Sequence, residues 1–326
     1  MATKDKLLEL LENKRDEYVS GEEISKNLGL SRTAVWKAIN SLRADGYTID
    51  AISNKGYRLA KDSDILSVQG ISKYLTFPDK LDLTVYPVVD STNNVLKKRA
   101  QDGAKEGTCV VAAEQTAGRG RIGRSFYSPS GSGIYLSLLL KPGNVPVTQS
   151  VSITTMAAVA VCMAIEKTTN EKPGIKWVND IFLDGKKVCG ILTEGAVSME
   201  NGYLDYAVLG VGLNAYLPDG DAFPKELKKI AGPIFKAPQS DGKNLLAAEF
   251  LNAFLYLYYN EDSYAYRKEY RKRCFVIGKD ISILSPLGTF NAKAIDVDDD
   301  CHLIVEYPDG RREALSSGEI SIRVTE

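Results

Sequence analysis

The chain has 326 residues, of which 44% are hydrophobic and 25% charged, and its 41 basic and 42 acidic residues leave a net charge of −1. Single cores stop growing near ~250–300 residues, so we expect about two or three domains, and the ordinary charged share excludes a chain that is disordered throughout. The balanced charge excludes a globally basic nucleic-acid coat protein and an acidic tail protein, so any contact with DNA requires a local basic patch.

The first block, residues 1–65, predicts three helices and a hairpin. Leucines at helical spacing near residues 7–11 indicate an opening helix. Ser20 and Ser31 stand at expected N-cap positions, and Gly29 stands where the second helix should end. Strand-like Tyr47–Ile49 and Tyr57–Leu59 flank a turn at residues 53–56. A helix-turn-helix followed by a hairpin is the pattern of a winged DNA-binding domain.

The third helix of this block carries a local excess of positive charge. It has three cations and no acidic residue from Ser31 to Arg43. In the winged-helix arrangement these cations would neutralise phosphates or read base edges, and a lysine at the hairpin tip would contact phosphate. The alternative is a small helical domain that only packs against its neighbour. The predicted DNA-binding residues are Ser31, Arg32, Thr33, Lys37, Arg43 and Lys55.

The second block, residues 66–270, alternates strand-like and helical segments. This alternation predicts a mixed sheet covered by helices. The strand-like segments are residues 83–86, 109–113, 134–140, 188–194 and 206–211, and the helical ones are 93–100, 150–166 and 243–270. The apolar stretch from Ser150 to Ile165 is shorter than the ~20 residues of a membrane span, so it predicts a buried helix.

The third block, residues 271–326, contains four short strand-like runs separated by turns. They lie at residues 281–284, 288–292, 303–307 and 320–324. Short strands at this spacing fit a small SH3-like barrel.

Cysteine and histidine usage narrows the possible chemistry. The five cysteines are dispersed without a CxxC pair, and the only histidine is His302. This pattern argues against a zinc ribbon, a redox pair and a mechanism that needs a histidine base, and we predict no metal-ligand cluster. The N-terminus lacks the apolar run of a signal peptide, so we expect a cytoplasmic protein with reduced thiols and no membrane association.

The densest motif is a glycine- and arginine-rich segment at residues 115–124. Its glycine spacing matches a dinucleotide fingerprint, but loop-like sequence follows where that fingerprint needs a helix. Arg119, Arg121 and Arg124 instead offer planar donors for carboxylate and phosphate oxygens. Their mutual repulsion predicts a loop that is mobile without an anion. A solvated basic loop is the alternative, and the absence of a Walker A motif excludes a P-loop NTPase.

A second cluster joins Lys176-Trp177-Val178-Asn179-Asp180 to a strand-like segment through an Asp-Gly turn. Lys187 begins that second strand, where a lysine beside Asp180 could stabilise negative charge on an acyl phosphate. A surface hairpin lysine is an equal alternative. Two weaker motifs are Asp90-Ser91-Thr92-Asn93, a possible helix cap, and Gly210-x-Gly212-x-Asn214, which ends in an amide that could pair with adenine.

In this order the motifs resemble the bacterial biotin–protein ligases that also repress the biotin operon. The resemblance covers nearly the whole chain and implies an α+β multidomain fold. Its parts would be a winged helix-turn-helix at residues 1–65, a class II synthetase-like mixed-sheet ligase domain at 66–270, and an SH3-like barrel at 271–326. A lipoate-type ligase with an added DNA-binding domain and a non-enzymatic ligand-sensing repressor are the rival interpretations.

The resemblance also implies a reaction and a set of partners. The carboxylate of biotin attacks the α-phosphate of ATP, which comes with Mg²⁺, to give biotinyl-5′-AMP and pyrophosphate. A lysine amine of the biotin carboxyl carrier protein of acetyl-CoA carboxylase or a related carboxylase then takes the biotinyl group. Biotinyl-5′-AMP would also order the arginine loop and favour a homodimer. That homodimer would bind operator DNA as a repressor of biotin synthesis and transport genes.

Site residues follow from the same resemblance. It assigns catalytic roles to Lys187, Arg119, Arg121 and Asp180, where Asp180 either orients Lys187 or binds magnesium. It assigns biotin and nucleotide contacts to Ser91, Thr92, Asn93, Gln115, Arg119, Gly120, Arg121, Arg124, Phe126, Lys187, Gly190, Leu192 and Asn214. Family members often carry a tryptophan shortly after the arginine loop. Phe126 and Tyr127 stand there in this chain, so we expect Phe126 to cover adenine.

Overall fold

The computed structural model describes residues 2–143, 151–197, 202–218, 223–260, 265–285, 288–316 and 321–324, and the fold is that of these residues. Their strands form three sheets, with two, seven and five strands. The two-stranded sheet belongs to the N-terminal segment, and the seven-stranded sheet forms the centre of the molecule. The five-stranded sheet lies at the C-terminal end of the chain.

The N-terminal segment has the predicted winged helix-turn-helix architecture. Its elements are α1 (Thr3–Asn13), α2 (Gly21–Leu28), α3 (Arg32–Ala44), β1 (Ile49–Ile52) and β2 (Gly56–Leu59). The Ser20 hydroxyl accepts the Glu23 amide at 3.1 Å, and Gly29 ends α2 at a φ of 65°, as the sequence predicts. The hairpin begins at Ile49 rather than Tyr47, and Tyr47 precedes β1 with its side chain in the same buried cluster as Ile49.

The central sheet is mixed, as predicted. Its strands are β3 (Asp82–Tyr86), β4 (Thr108–Ala112), β5 (Gly133–Leu140), β6 (Gly174–Lys176), β7 (Asp180–Leu183), β8 (Lys186–Val197) and β9 (Leu204–Asn214). The order is β3-β4-β5-β9-β8-β7-β6, with β3 and β4 parallel and the other pairs antiparallel. The long β8–β9 pair places the residues of both strands side by side in the middle of the sheet.

Helices cover both faces of this sheet. They are α4 (Val68–Ser72), a 3₁₀ turn (Pro78–Lys80), α5 (Thr92–Gln101), α6 (Val151–Thr169), α7 (Lys225–Ile230), α8 (Gly242–Tyr259) and α9 (Ala265–Arg273). Alternation along β4 directs Val110 to a small core under α5, and directs Cys109 and Val111 to the large core under α6 and α8. By length and composition α6 could span a bilayer, but most of it is buried within this core.

Two predicted helices differ from the observed ones at their ends. Ser150, the predicted start of the apolar helix, lies outside the described residues, and α6 extends past Glu166 to Thr169. The predicted helix at residues 243–270 is two helices, because α8 ends at Tyr259 and α9 starts at Ala265. Residues 261–264 lie outside the described residues.

The C-terminal segment, for which the sequence predicts a small SH3-like barrel, forms a five-stranded antiparallel sheet in the part of the chain that is described. Its strands are β10 (Asp280–Ser285), β11 (Gly288–Val297), β12 (Leu303–Glu306), β13 (Arg312–Leu315) and β14 (Ser321–Val324), all paired antiparallel in the order β13-β12-β11-β10-β14. Ile320 of the predicted last strand is outside the described residues. Ile281, Ala294 and Leu303 join the large central core, so this sheet packs directly on the central domain.

Candidate functional site

A cavity beside the β8–β9 pair brings together most of the predicted site residues. The start of α5, the arginine-rich loop, β7, β8 and β9 all contribute to its walls. The predicted residues that line it are Ser91, Thr92, Asn93, Gln115, Arg119, Gly120, Arg121, Arg124, Phe126, Asp180, Lys187, Gly190 and Leu192. Segments as far apart in sequence as Ser91 and Gly212 therefore form one pocket, and the sheet order places them together.

One end of the cavity is a buried polar network. The Gln115 side-chain oxygen, Oε1, accepts from the Thr92 backbone amide at 2.9 Å, and the Gln115 side-chain nitrogen, Nε2, donates to the Ser128 hydroxyl at 2.9 Å. Ser137 on β5 lies behind Thr92, with its hydroxyl 2.8 Å from the Thr92 hydroxyl and 2.6 Å from the side-chain oxygen, Oδ1, of Asn93. Buried polar groups with fixed partners hold their orientation. This end can therefore present oriented donors and acceptors to a neutral polar ligand group.

Glu194 on β8 does not line the cavity, but it contacts two residues that do, Asn93 and Arg119, and its sequence context gave no sign of this. It accepts from Asn93 at 2.8 Å and from Lys97 at 3.0 Å, and it lies 3.4 Å from Arg119. Burial alone would raise the pKa of Glu194, but the hydrogen bonds from Asn93 and Lys97 and the nearby positive charges lower it overall. A carboxylate therefore holds Arg119 at the rim of the cavity.

Two arginines of the loop have different side-chain partners. Arg119 faces Glu194 and donates to Asn94 at 3.2 Å, whereas Arg121 donates to Asn179 at 3.3 Å. Burial lowers the pKa of Arg121, and the charge of Asp180 partly opposes that effect. The Arg124 backbone closes the loop, because its carbonyl oxygen accepts the Gly120 amide at 2.7 Å. The loop thus lines the cavity with its arginines, and the charge of Arg124 is close enough to Arg121 to lower its pKa as well.

Lys187 lies at the start of β8 and is paired across to β7. Its ammonium group is 2.6 Å from an Asp180 carboxylate oxygen. Of the two roles considered for Asp180, the structure therefore shows the contact needed to orient Lys187. Among the described residues, no group of three or more His, Cys, Asp or Glu side chains is arranged to bind a metal ion.

Phe126 separates this cavity from a second one. Its ring lies over Gly190 and Gly212, which are opposite each other on β8 and β9. A Cβ atom at Gly212 would lie 2.5 Å from the ring, and one at Gly190 would lie 3.0 Å from it. Two adjacent glycines therefore create the space that the Phe126 ring occupies.

Asn214 lies in the second cavity and does not line the first. Its amide donates to the Lys187 carbonyl oxygen at 3.2 Å. Aromatic and aliphatic side chains form much of the wall, including Phe126, Tyr127, Tyr216, Leu217, Phe223, Leu227 and Ile230. Arg124, Phe126 and Lys187 line both cavities. The structure thus has a polar cavity and an apolar cavity that share a cationic border.

Two buried aromatic residues support the Lys176–Asp180 segment. The Trp177 indole donates to the Cys301 carbonyl oxygen at 3.0 Å, and the Tyr270 hydroxyl donates to the Val178 carbonyl oxygen at 3.0 Å. The C-terminal β-domain therefore contacts the segment that carries Asn179 and Asp180. Trp177 belongs to the sequence motif, but nothing in the sequence indicates that it contacts Cys301, 124 residues away.

The predicted DNA-binding residues fall into two groups. Arg32, Lys37 and Lys55 are exposed and have no side-chain partner within the described part of the chain. Thr33 is exposed on α3 beside them. Ser31 caps α3 by accepting the Ala34 amide at 3.2 Å, and Arg43 donates to the Ile49 carbonyl oxygen at 2.8 Å. Ser31 and Arg43 thus also stabilise the domain itself.

A buried charge network joins the winged helix to the central domain. Glu12 on α1 lies 2.7 Å from both Arg15 and Lys73, and Asp241 at the start of α8 lies 3.0 Å from Arg15 and 2.5 Å from Lys73. Glu12 and Asp241 are 3% and 2% exposed. Two anions and two cations thus share one buried site between α1, α4 and α8.

Each of the three parts of the fold matches a different family of known proteins. Residues 85–214 match the model of the Biotin/lipoate A/B protein ligase family, residues 3–58 match an HTH domain, and residues 276–323 match the Biotin protein ligase C terminal domain. The chain is 36% identical to "Bifunctional ligase/repressor BirA" of Bacillus subtilis, covering 95% of this chain and 96% of the relative. It is 30% identical to the protein of the same name from Escherichia coli, covering 98% and 97%.

Solved structures show the same ligase fold. A biotin protein ligase from Aquifex aeolicus in complex with biotin and ATP is 26% identical, with a TM-score of 0.61. The match covers 75% of this chain and 99% of that one. A point mutant of the same ligase in complex with biotin is 25% identical over the same shares of the two chains, with a TM-score of 0.62.

Proposed function

This chain belongs to the bifunctional biotin protein ligase and repressor family, and from that premise we propose that it activates biotin with ATP and represses transcription as a DNA-binding protein. It is a biotin–[acetyl-CoA-carboxylase] ligase. Its substrates are ATP and biotin, and biotinyl-5′-AMP is both its intermediate and its corepressor. The observation that carries the proposal is the convergence of Arg119, Arg121 and Lys187 on the polar cavity.

The first step joins two anions. A carboxylate oxygen of biotin forms a bond to the α-phosphorus of ATP, and the bond to the pyrophosphate oxygen breaks. The nucleophile is already a carboxylate, so the step needs no base, but it needs positive charge where negative charge concentrates. Arg119, Arg121 and Lys187 supply that charge, and Asp180 positions the Lys187 ammonium group. Mg²⁺ bound to ATP would offset part of the phosphate charge, and Asp180 is the residue that would contact it.

The two cavities divide the substrates between them. Thr92 and Gln115, with Ser91 and Asn93 nearby, face the ureido ring of biotin in the polar cavity, and Gly190 and Leu192 form its wall. The adenine ring enters the apolar cavity, where the Asn214 amide can pair with its edge and Phe126 can cover its face. The α-phosphate then lies at the shared border, beside Arg124 and Lys187.

The second step transfers the biotinyl group to a protein. The amine of a lysine on the biotin carboxyl carrier protein attacks the anhydride carbonyl, an amide bond forms, and AMP leaves. Charge neutralisation of the arginine loop by biotinyl-5′-AMP favours a homodimer, which binds operator DNA through two winged helices. The enzyme acts in the cytoplasm without membrane association.

Pyrophosphate release with ATP, Mg²⁺ and biotin tests the ligase activity. We expect biotin-dependent release, and a loss of about 10²–10³-fold in Lys187→Ala because a preorganised charge at the reacting oxygens is removed. Lys55→Ala, which removes a lysine at the wing, should release pyrophosphate at the wild-type rate. Equal rates in Lys187→Ala and wild type would contradict the assignment, and release with lipoate rather than biotin would favour the lipoate-type ligase.

A further inference from the structure

An exposed tryptophan lies on the helix that carries the predicted DNA contacts. Trp36 on α3 is 58% exposed, and the packing of α3 is already provided by Val35, Ala38, Ile39 and Leu42. Among residues 2–65, the only other large apolar side chain with comparable exposure is Ile52, in the wing. The domain therefore places two apolar groups in solvent that its own core does not use.

The surroundings of Trp36 indicate what kind of partner would cover it. Arg32 lies one helical turn earlier, Lys37 is adjacent, and Lys55 stands at the tip of the wing. These cations have no side-chain partners within the described part of the chain, and α3 contains no acidic residue. An exposed helix with unpaired cations and no acidic residue suits a polyanion rather than an apolar protein surface.

Phosphate contacts alone would leave this helix without sequence selectivity. Arginine and lysine contacts to phosphates position a protein on the duplex, whereas contacts to base edges specify the sequence. In the major groove the C5-methyl group of thymine is an apolar feature that apolar side chains recognise. An indole ring offers a large apolar surface to such a methyl group, with little conformational entropy to lose.

We propose that Trp36 is a base-reading residue that packs against a thymine methyl group in the major groove. The proposal rests on the DNA-binding function proposed above and adds to it a determinant of sequence preference. Where Arg32, Lys37 and Lys55 contact phosphates, they supply affinity that is independent of sequence. Replacing Trp36 should consequently change the base preference, whereas replacing a cation should change the affinity for all sequences.

The test begins with selection from a random double-stranded DNA library. The full chain is supplied with biotin, ATP and Mg²⁺, and the variants are Trp36→Ala, Trp36→Phe and Lys37→Ala. We expect Trp36→Ala to lose the preference for thymine at one position of each half-site while the salt dependence of binding stays the same. Lys37→Ala should keep the preference and lose about one unit of salt slope. Trp36→Phe should keep the preference because an apolar ring remains.

Replacing thymine by uracil tests the methyl contact directly. Each thymine of the selected site is changed in turn, and binding of wild type and Trp36→Ala is compared. One thymine methyl group should contribute about four-fold to wild-type affinity, the amount expected for one buried methyl group, and nothing to the affinity of Trp36→Ala. Tyr256→Ala, which removes an exposed aromatic residue from α8, should behave like wild type.

Intrinsic fluorescence gives an independent measurement, because the chain has two tryptophans. Trp177 is 4% exposed, so iodide should quench Trp36 selectively. The selected DNA should shield Trp36 more than DNA of unrelated sequence does. If Trp36→Ala keeps the thymine preference and the sensitivity to uracil, the proposal for Trp36 is overturned while the DNA-binding function stands. The same holds if Trp36→Ala weakens binding to all DNA sequences equally. Failure of the wild type to select any sequence would overturn the proposed DNA-binding function together with it.

Discussion

At the scale of single residues, the ionisation of Glu194 should make the stability of the fold depend on pH. Its folded-state pKa is lowered by Asn93, Lys97 and Arg119 despite its burial. A carboxyl group with a lowered pKa stabilises the fold at pH values above its unfolded pKa. That contribution is lost as the pH falls through the folded pKa.

We therefore expect Glu194→Gln to lose stability at neutral pH and to lose less on acidification than the wild type. Urea unfolding between neutral pH and pH ~4 measures this difference. Glu9→Gln serves as the control, because Glu9 is exposed and has no side-chain partner among the described residues. Parallel pH dependence in Glu194→Gln and wild type would contradict the prediction.

Gly212 illustrates why a small residue stands in the middle of a long strand. A methyl group there would lie 2.5 Å from the Phe126 ring, which would have to move. We expect Gly212→Ala to destabilise the fold by about 1–3 kcal/mol through overpacking. In a Phe126→Ala background the same change should have a much smaller effect, and a double-mutant cycle of unfolding free energies measures the coupling. Additive effects would show that the ring is not the obstacle.

At the scale of elements, the contacts of the Lys176–Asp180 segment explain how the C-terminal sheet can influence catalysis. Trp177→Phe would keep an aromatic ring but leave the buried Cys301 carbonyl oxygen without its donor. The expected loss of stability is about 1–3 kcal/mol. Because Asn179 and Asp180 follow Trp177 closely, we also expect a lower kcat for pyrophosphate release with little change in the KM for biotin.

Tyr256→Phe is the matched control, since Tyr256 is exposed on α8. The melting temperature, kcat and KM of Tyr256→Phe should equal those of the wild type. A Trp177→Phe variant that is destabilised but has an unchanged kcat would show that the C-terminal sheet contributes only to folding.

At the scale of the whole molecule, the charge network of Glu12, Arg15, Lys73 and Asp241 couples two domains. Breaking a buried pair by removing one partner leaves an uncompensated charge and typically costs about 3–5 kcal/mol. Glu12→Gln should therefore lower the free energy of unfolding by about that amount. Asp45→Asn, which breaks the exposed pair with Lys4, should change it by less than about 1 kcal/mol.

Urea unfolding that follows both domains distinguishes a shared from a local effect. We expect the winged helix of Glu12→Gln to unfold at a lower urea concentration than the central sheet, because the network is one of the buried polar links between them. A cooperative transition with an unchanged midpoint would contradict this account of the interface.

The sequence alone determined the local features of this protein. Caps, glycine turns and alternation of apolar residues are set by nearest neighbours, so the winged helix, the strands around the site and the arginine loop were predictable from Ser20, Gly29 and the residue pattern. The loop and the lysine motif also carried enough chemistry to indicate anionic substrates. The ends of α6 and α8 were less predictable, because apolar composition does not mark where a buried helix stops.

The tertiary structure alone decided which distant residues meet. Glu194, Ser137 and Tyr270 have no distinctive sequence context, and their roles follow from the sheet order and the packing of α9. The separation of Asn214 from the polar cavity depends on where the Phe126 ring lies, over glycines of two neighbouring strands. Such contacts depend on long-range pairing and side-chain packing, which local sequence preferences do not encode.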